Sequence, residues 1–250
     1  MADAPFADKP TLFTVMTPSL LHLYDLKQSI VVIIDILRAT STIATALHNG
    51  AKEIIPVDSI AACIRLSKQM EAVSAGERDG KIAEGLQFGN TPFDYSREFI
   101  EGKTLVLTTT NGTRLLHMAL AADADEIITG SFCNFSSVVR YLGNCKKNVI
   151  LACAAWKDKI NIEDTLFAGA VVSQLKGDFR VNCDASHIAA SLYETAKTDL
   201  FGFMRYQNAS HYHRLMGFGA EKDLRYCLTH DNADVLVKYE NGRLKACSTE

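Results

Sequence analysis

Residues 30–50 read IVVIIDILRATSTIATALHNG, and this stretch predicts the fold of the chain. Residues 30–34 are a continuous run of isoleucine and valine, which is typical of a strand buried on both faces of a helix-covered sheet. The run ends at the carboxylate of Asp35, and Arg38 follows in a short polar loop. A helix comes next and ends at Asn49 and Gly50, because glycine tolerates the left-handed conformation after a last helical turn.

Three hydroxyl residues, Thr40, Ser41 and Thr42, stand where this helix begins. Hydroxyl side chains at such a position are typical N-caps, so we expect them to cap the helix. A strand, a loop and a helix N-terminus in this order direct backbone N–H groups and a partial positive charge at whatever occupies the loop. The pattern therefore predicts an anion as the ligand.

The same alternation continues along the chain and predicts an α/β fold. A lead-in strand at 11–15 precedes the first buried strand, and the strand at 54–57 completes a βαβ unit with it. Further strands are predicted at 73–75, from 103 into Thr108, at 126–129 and at 148–156. Helices are predicted from Asp58 as N-cap to 70, near 94–100, after 112, from Asn134 and from 163 to 175. The alternation predicts a largely parallel sheet with helices on both faces and right-handed connections.

The C-terminal part has a different pattern. It reads as helical from 184 to 226, and 234–239 with 243–247 around Asn241 and Gly242 form a β-hairpin signal. No linker divides the sequence, so we expect residues 1–250 to form a single domain.

Composition limits the function. With 250 residues, 48% apolar and 22% charged, the chain is typical of a globular protein. The net charge is −3 and there is no cluster of lysine or arginine, which argues against a nucleic-acid partner. A small ligand is favoured instead.

Cysteine spacing and hydropathy indicate the cellular compartment in which the protein is expected. The seven cysteines include no C-x-x-C pair, so we expect reduced thiols and no structural zinc, with Cys153 as a buried, inert thiol. The N-terminus lacks a basic and apolar leader, and the longest apolar run falls well short of the ~20 residues that span a bilayer. We therefore expect a cytoplasmic protein with no membrane partner.

Polar clusters follow most of the predicted strands. In parallel sheets ligands bind at the carboxyl ends of the strands, so these side chains are expected to converge there. The candidates are Asp35, Arg38, Glu77, Arg78, Asp79, Asn90, Asn111, Thr113, Glu163 and Asp164.

This set of side chains suits a phosphorylated ligand with a divalent cation. Arginine binds phosphate, sulfonate or carboxylate oxygens with two hydrogen bonds, so Arg38 and Arg78 are predicted anion clamps. Carboxylates hold Mg²⁺ (magnesium), which keeps several waters and bridges to phosphate oxygens. Hydrolysis of a phosphate ester is then the reaction that needs least further chemistry, because it requires mainly positioning, charge neutralisation and an activated water.

Motifs for a covalent mechanism are incomplete. Leu37 stands where a phosphatase that forms an aspartyl-phosphate has its second aspartate, and Cys133 and Arg140 lack the spacing of a cysteine phosphatase loop. Direct attack by a metal-bound water is therefore favoured. There is no GK[ST] and no G-x-G-x-x-G motif, so neither an NTPase nor a dinucleotide enzyme is supported.

Each signal also has a structural interpretation. Asp35 fits a cap, Glu163 and Asp164 fit the acidic first turn of a helix, and residues 76–80 (GERDG) fit a surface turn. The histidines are expected at the surface or in the core rather than as ligands. It is the coincidence of the signals at one sheet edge that favours a site.

Five motifs in order carry a resemblance to a known family. They are DILRATST (35–42), GERDG (76–80), GNTP (89–92), TTNGT (109–113) and EDTLFAG (163–169). Together they resemble the 2-phosphosulfolactate phosphatase family, the ComB-like proteins, over about residues 30 to 230, although GNTP has threonine where the family usually has serine.

The resemblance implies a three-layer α/β/α fold and a Mg²⁺-dependent phosphatase that converts 2-phosphosulfolactate to sulfolactate, a step toward coenzyme M. Alternatives are a phosphatase for another small phosphorylated hydroxy acid, or a non-catalytic anion-binding module. A small anionic phosphorylated substrate is the expected partner, and a homodimer is kept as the candidate assembly. The predicted roles are catalytic for Asp35, Glu77 and Asp79, metal-binding for Asp35, Glu163 and Asp164, and substrate-binding for Arg38, Thr40, Ser41, Thr42, Arg78, Asn90, Thr110, Asn111, Gly112 and Thr113.

Overall fold

The computed structural model of the protein describes residues 9–78 and 80–247. Asp79, a predicted catalytic carboxylate, lies outside the described residues. The described strands are β1 (Leu12–Val15), β2 (Ser29–Ile34), β3 (Glu53–Pro56), β4 (Val73–Arg78), β5 (Lys81–Ile82), β6 (Thr104–Thr108), β7 (Glu126–Gly130), β8 (Asn148–Cys153), β9 (Leu236–Glu240) and β10 (Arg243–Cys247). The described α-helices are α1 (Ala39–His48), α2 (Ile60–Met70), α3 (Arg97–Ile100), α4 (Gly112–Ala121), α5 (Phe135–Asn144), α6 (Ile162–Leu175), α7 (Asp184–Ala196), α8 (Leu200–Tyr206), α9 (Ser210–Gly217) and α10 (Glu221–Cys227).

The strands form one mixed sheet in the order β1-β8-β2-β7-β9-β10-β3-β6-β4-β5. Strands β1, β8, β2 and β7 are parallel to one another, and so are β3, β6 and β4. The hairpin β9–β10 joins the two groups through antiparallel pairs with β7 and with β3. The predicted α/β class, the largely parallel sheet, the C-terminal helices and the hairpin are confirmed.

The predicted βαβ unit of β2, α1 and β3 is wrong, because the antiparallel pairs β7–β9, β9–β10 and β10–β3 make β3 run antiparallel to β2. Strands β7, β9 and β10 stand between β2 and β3. The hairpin comes from the C-terminal end of the chain, and sequence pattern does not indicate which strands it will pair with. Contacts between loops, described below, bring the ends of the two parallel groups together.

Strand β2 is buried along its whole length. Val32 and Ile34 pack in one apolar cluster with residues of α6, while Val31 and Ile33 pack in another with residues of α4. Successive side chains of a strand point to opposite faces, so this split places helices on both faces of the sheet. Each such side chain contributes about 1.5–3 kcal/mol by leaving water.

Several element boundaries differ from the sequence prediction. Ser59, not Asp58, caps α2, since its hydroxyl accepts a hydrogen bond from the N–H of Ala62. Strand β4 runs on through Arg78 because β5 pairs with it in a hairpin. The helix predicted near 94–100 is a 3₁₀ turn at Pro92–Asp94 followed by α3, and β8 ends at Cys153, before Trp156.

The state of the thiols and the hydropathy of the helices can be compared with the expectations from the sequence. All seven cysteines lie in the described residues and are free, and Cys153 is fully buried, which raises its pKa well above the ordinary value. Within residues 9–78 and 80–247 none of the helices combines the length and the apolar character needed to cross a bilayer.

Candidate active site

A cavity of about 220 Å³ lies where the chain leaves β2, β4, β6 and β8, and helix α9 forms its remaining wall. Its lining mixes carboxylates, arginines, amides and aromatic rings. The lining residues are Asp35, Leu37, Arg38, Glu77, Gly80, Asn90, Thr110, Asn111, Trp156, His211, Arg214, Leu215 and Phe218. Six of the predicted site residues are among them: Asp35, Arg38, Glu77, Asn90, Thr110 and Asn111.

Asp35 lies directly after β2 and before α1. Its carboxylate accepts a hydrogen bond from the N–H of Ala39, the first residue of α1. The helix N-terminus predicted to bind a ligand anion is therefore used by the side chain of Asp35 itself. Desolvation raises the pKa of Asp35 to about 6; the charge of His211 opposes this shift, and those of Glu77 and Glu163 add to it.

Gly112, at the start of α4, lets that helix approach Asp35 closely. A Cβ at this position would lie 3.1 Å from Oδ2 of Asp35 and 3.4 Å from Cβ of Ala39. A Cβ would crowd the carboxylate, and the neighbouring atoms would have to shift by a few tenths of an ångström to admit it. This contact joins the end of β2 to the end of β6, which belong to the two different parallel groups.

Glu77, near the end of β4, holds two loops together. Its Oε1 accepts hydrogen bonds from the backbone N–H of Thr110 at 3.0 Å and from the Thr110 hydroxyl at 2.8 Å. Its Oε2 accepts from the N–H of Gly80 at 3.0 Å. Glu77 therefore positions the N-terminal side of α4 as well as lining the cavity.

The hydroxyl residues predicted to cap α1 lie inside its first turn, because Arg38 is the N-cap residue. The hydroxyls of Thr40 and Ser41 donate to the carbonyls of Asp35 and Ile36, each at 2.9 Å. The prediction that they cap the helix is wrong: they bond back to the loop that precedes it.

Two more of the predicted substrate-binding threonines also hold loops. The Thr42 hydroxyl donates to the Asn90 carbonyl at 3.0 Å, which ties α1 to the 89–92 loop. Thr113 accepts a hydrogen bond from the N–H of Thr109 at 3.2 Å. Neither Thr42 nor Thr113 lines the cavity.

The two predicted anion clamps differ in position. Arg38 lines the cavity but forms an ion pair with Asp223 of α10, whose other oxygen accepts from the Thr91 hydroxyl at 3.0 Å. Arg78 donates to the Glu77 carbonyl at 2.6 Å and to the Thr108 hydroxyl at 3.2 Å. Arg78 is not part of the cavity lining.

Glu163 and Asp164 lie in the first turn of α6, as predicted, and both are buried. Glu163 pairs with His211, with 2.6 Å between Oε1 and Nδ1. Asp164 accepts one backbone N–H at each oxygen, from Ile36 at 3.0 Å and from Ala155 at 3.2 Å, and burial raises its pKa well above the ordinary value. Asp164 thereby connects the loops that follow β2 and β8.

The three predicted metal ligands, Asp35, Glu163 and Asp164, do not form a ready metal cage. In the part of the chain that the structure describes, no three histidine, cysteine or acidic side chains are grouped to hold an ion. Mg²⁺, however, usually binds through one or two carboxylates, waters and substrate phosphate. Asp35 lines the cavity beside Glu77, and the buried Oδ1 of Asn90 has no hydrogen-bond partner among the described residues. These oxygens fit a hydrated cation.

Helix α9 contributes a wall that the sequence analysis missed. His211, Arg214, Leu215 and Phe218 all line the cavity. His211, Arg214 and Leu215 are spaced at i, i+3 and i+4 and share one face of α9, and Phe218 follows directly after the helix ends. This spacing was the available signal. The histidines were expected at the surface or in the core rather than as ligands, and His211 lies in the cavity wall.

Comparison with known proteins identifies the family of the chain. A family model described as 2-phosphosulpholactate phosphatase matches residues 15–242. A protein of Caldanaerobacter subterraneus named "Probable 2-phosphosulfolactate phosphatase" is 41% identical over 223 residues, covering 87% of this chain and 90% of the relative. Proteins of the same name from Clostridium perfringens and Synechocystis are 36% and 40% identical, covering 88% and 83% of this chain and 90% and 87% of their own lengths. The chain therefore belongs to the 2-phosphosulfolactate phosphatase family of phosphoric monoester hydrolases.

Proposed function

We propose that the protein is a Mg²⁺-dependent phosphatase that hydrolyses 2-phosphosulfolactate to sulfolactate and phosphate. Family membership and the names of the relatives support the reaction. The observation that carries the proposal is the desolvated carboxylate of Asp35, with its pKa raised to about 6, in a cavity that Arg38 and Arg214 also line. A small anionic ester is the substrate that such a mixture of charges suits.

The proposed cation resolves an electrostatic conflict. Asp35 and Glu77 would repel a phosphate ester in this cavity unless a cation screens them. We assign Asp35 as the protein ligand, because Asp164 already accepts a backbone N–H at each oxygen and Glu163 is paired with His211. When bound, Mg²⁺ supplies charge neutralisation at phosphorus and lowers the pKa of a water molecule.

The other cavity residues have roles that follow from their positions. Asn111 is the N-cap residue of α4 and forms no side-chain cap, so its amide is available to phosphate oxygens. His211 is held at Nδ1 by Glu163, which leaves Nε2 as the nitrogen that exchanges a proton with the reaction. We assign to His211 the donation of a proton to the ester oxygen as it leaves.

We propose direct attack of water on phosphorus. Cys153 is buried, and burial raises the pKa of the Cys133 thiol to about 11, so neither thiol is an activated nucleophile. Single-turnover hydrolysis in ¹⁸O-labelled water tests this step. Label found only in released phosphate supports direct attack, whereas label in the Asp35 carboxylate or a trapped phospho-Asp35 would show an aspartyl-phosphate intermediate.

The proposal as a whole is tested by phosphate release. The purified protein is incubated with 2-phosphosulfolactate, with phospholactate and with phosphoglycolate, each with Mg²⁺ and with EDTA. We expect phosphate release from 2-phosphosulfolactate, and we expect EDTA to abolish it and added Mg²⁺ to restore it. Release that favours another member of the panel reassigns the substrate, and no release from any member would favour an anion-binding module.

A further inference from the structure

Arg214 and Trp156 form a cation–π pair in the cavity wall. Arg214 lies on α9, and Trp156 lies in the loop after β8. The guanidinium carbon of Arg214 is 4.1 Å from the centroid of the Trp156 ring, within the range of a cation–π contact. Both residues line the same cavity as Asp35. The contact holds the guanidinium group against the ring without using its N–H donors.

The hydrogen-bonding capacity of Arg214 is not fully used. Its Nη2 is buried and has no partner among residues 9–78 and 80–247. Arg38, the other arginine in the lining, is instead paired with Asp223. Burial lowers the pKa of Arg214, and the nearby charge of Glu163 opposes this shift. A buried donor without a partner is costly, and an anion in the cavity would remove that cost.

We propose that Arg214, held on Trp156, binds the non-phosphorylated acid group of the substrate, sulfonate or carboxylate, and thereby selects phosphate esters that carry a second anion. The identity of the ligand in this inference rests on the proposed function. The planar guanidinium presents paired N–H donors whose spacing matches the oxygens of both acid groups. Lysine could not replace it, because a point charge does not donate two parallel hydrogen bonds.

The chemistry of the cavity separates the two anionic groups. The phosphorus atom must lie beside Asp35 and His211, because the proposed cation site and the proton donor act there. The remaining acid group then needs a cationic partner that is not already paired with a carboxylate. Among the residues that line the cavity, Arg214 meets this condition and Arg38 does not.

The kinetic test uses Arg214→Gln and Arg214→Lys, with Arg225→Gln as matched control. Arg225 also forms a cation–π contact, with Phe201 at 3.8 Å, but it bonds Glu221 at the surface and lies outside the cavity. The substrates are 2-phosphosulfolactate, phospholactate, which lacks the sulfonate, and isopropyl phosphate, which lacks both acid groups. For 2-phosphosulfolactate, kcat/KM should fall about 10- to 100-fold in both Arg214 variants, the range expected for lost hydrogen bonds to a charged group.

The substrate series separates the possible roles of Arg214. Unchanged kcat/KM for isopropyl phosphate is expected in every variant. A parallel loss for phospholactate identifies the carboxylate as the bound group, and its absence identifies the sulfonate. Equal losses for 2-phosphosulfolactate and isopropyl phosphate, or no loss for either, would overturn the inference.

A binding measurement keeps the inference separate from the proposed activity. Sulfolactate is titrated into the three variants and the parent protein by calorimetry, and Trp156 fluorescence is followed in parallel, since Trp156 is the single tryptophan of the chain. The Kd should rise about 10- to 100-fold in the Arg214 variants only. This result would support the anion site even if no phosphate were released. Failure of the parent protein to bind sulfolactate, or an equal Kd in all proteins, would overturn it.

Discussion

Nδ1 of His211 lies 2.6 Å from Oε1 of Glu163, and 48 residues separate them in the chain. The contact joins the first turn of α6 to the cavity face of α9. A carboxylate at one ring nitrogen orients an imidazole and fixes which nitrogen carries its proton, so the other nitrogen can exchange protons with a substrate. The pair orients a histidine that the sequence pattern had not placed in the cavity.

Replacing His211 with glutamine should therefore lower kcat about 10²- to 10⁴-fold with a small change in KM, as for loss of a proton donor. The loss should shrink for a phosphate ester of a more acidic alcohol, because that leaving group needs less protonation. Steady-state kinetics on the two esters measure this. His213→Gln is the control, because His213 is exposed, its Nε2 bonds Asn208 and it lies outside the cavity lining. A loss of equal size on both esters would contradict the assigned role.

Replacing Asp35 with asparagine should abolish Mg²⁺-dependent turnover and stabilise the metal-free fold at pH 7. The pKa of Asp35 is raised from 3.8 to about 6, so the folded state binds the proton more tightly than the unfolded state does. In EDTA this group favours folding below about pH 4, and that contribution is lost as the pH rises through about 6. At pH 7 the substitution should raise the free energy of unfolding by on the order of 1–3 kcal/mol.

Urea unfolding of the parent and the Asp35→Asn variant at pH 4 and pH 7, both in EDTA, measures this difference. The comparison of the two proteins removes the effects of other titrating groups. The gap between them should be larger at pH 7 than at pH 4. A gap that narrows as the pH rises would show that desolvation of Asp35 does not oppose folding.

Asp164→Ala should act on stability rather than on metal affinity. The substitution leaves the N–H groups of Ile36 and Ala155 without acceptors, at about 1–3 kcal/mol each, partly offset by removal of a buried acid. Asp164→Asn keeps one acceptor oxygen and should lose less. Denaturant unfolding gives the stability, and the Mg²⁺ concentration for half-maximal activity gives the affinity. A marked rise in that concentration for Asp164→Asn would restore Asp164 to the list of metal ligands.

Gly169→Ala should destabilise the packing of α6 against α7. A Cβ at Gly169 would lie 2.0 Å from the carbonyl oxygen of Ala189. This is a backbone atom, so relieving the clash would require a displacement of α7. We expect a loss of about 1–3 kcal/mol or more in the free energy of unfolding, despite the higher helix propensity of alanine. Gly143→Ala in α5 is the matched control, since the nearest atom there would be 3.6 Å away. Equal stability of the two variants in thermal unfolding would refute the close packing.

Much of the cavity could be predicted because strand ends are visible in a sequence. Asp35 and Asn111 follow the ends of β2 and β6, and polar residues at the carboxyl ends of strands are typical ligand contacts. That these two ends meet could not be predicted, because β2 and β6 belong to parallel groups that run in opposite directions. The roles of the hydroxyl residues could not be predicted. The conformation of the turn between β2 and α1 decides whether the Thr40 hydroxyl contacts a ligand or the carbonyl of Asp35. That conformation depends on the atoms packed around the turn.

Local pattern in the sequence determined the strands, most helices, the acidic first turn of α6, the hairpin and the unpaired state of the thiols, because those properties depend on neighbours along the chain. Only the tertiary structure decided that the hairpin enters the middle of the sheet and that α9 brings His211 and Arg214 to Asp35. It also decided which charged groups keep free hydrogen-bonding capacity: Arg38 loses it to Asp223, whereas Arg214 retains it. These outcomes depend on contacts between distant segments, which the separate patterns of those segments do not encode.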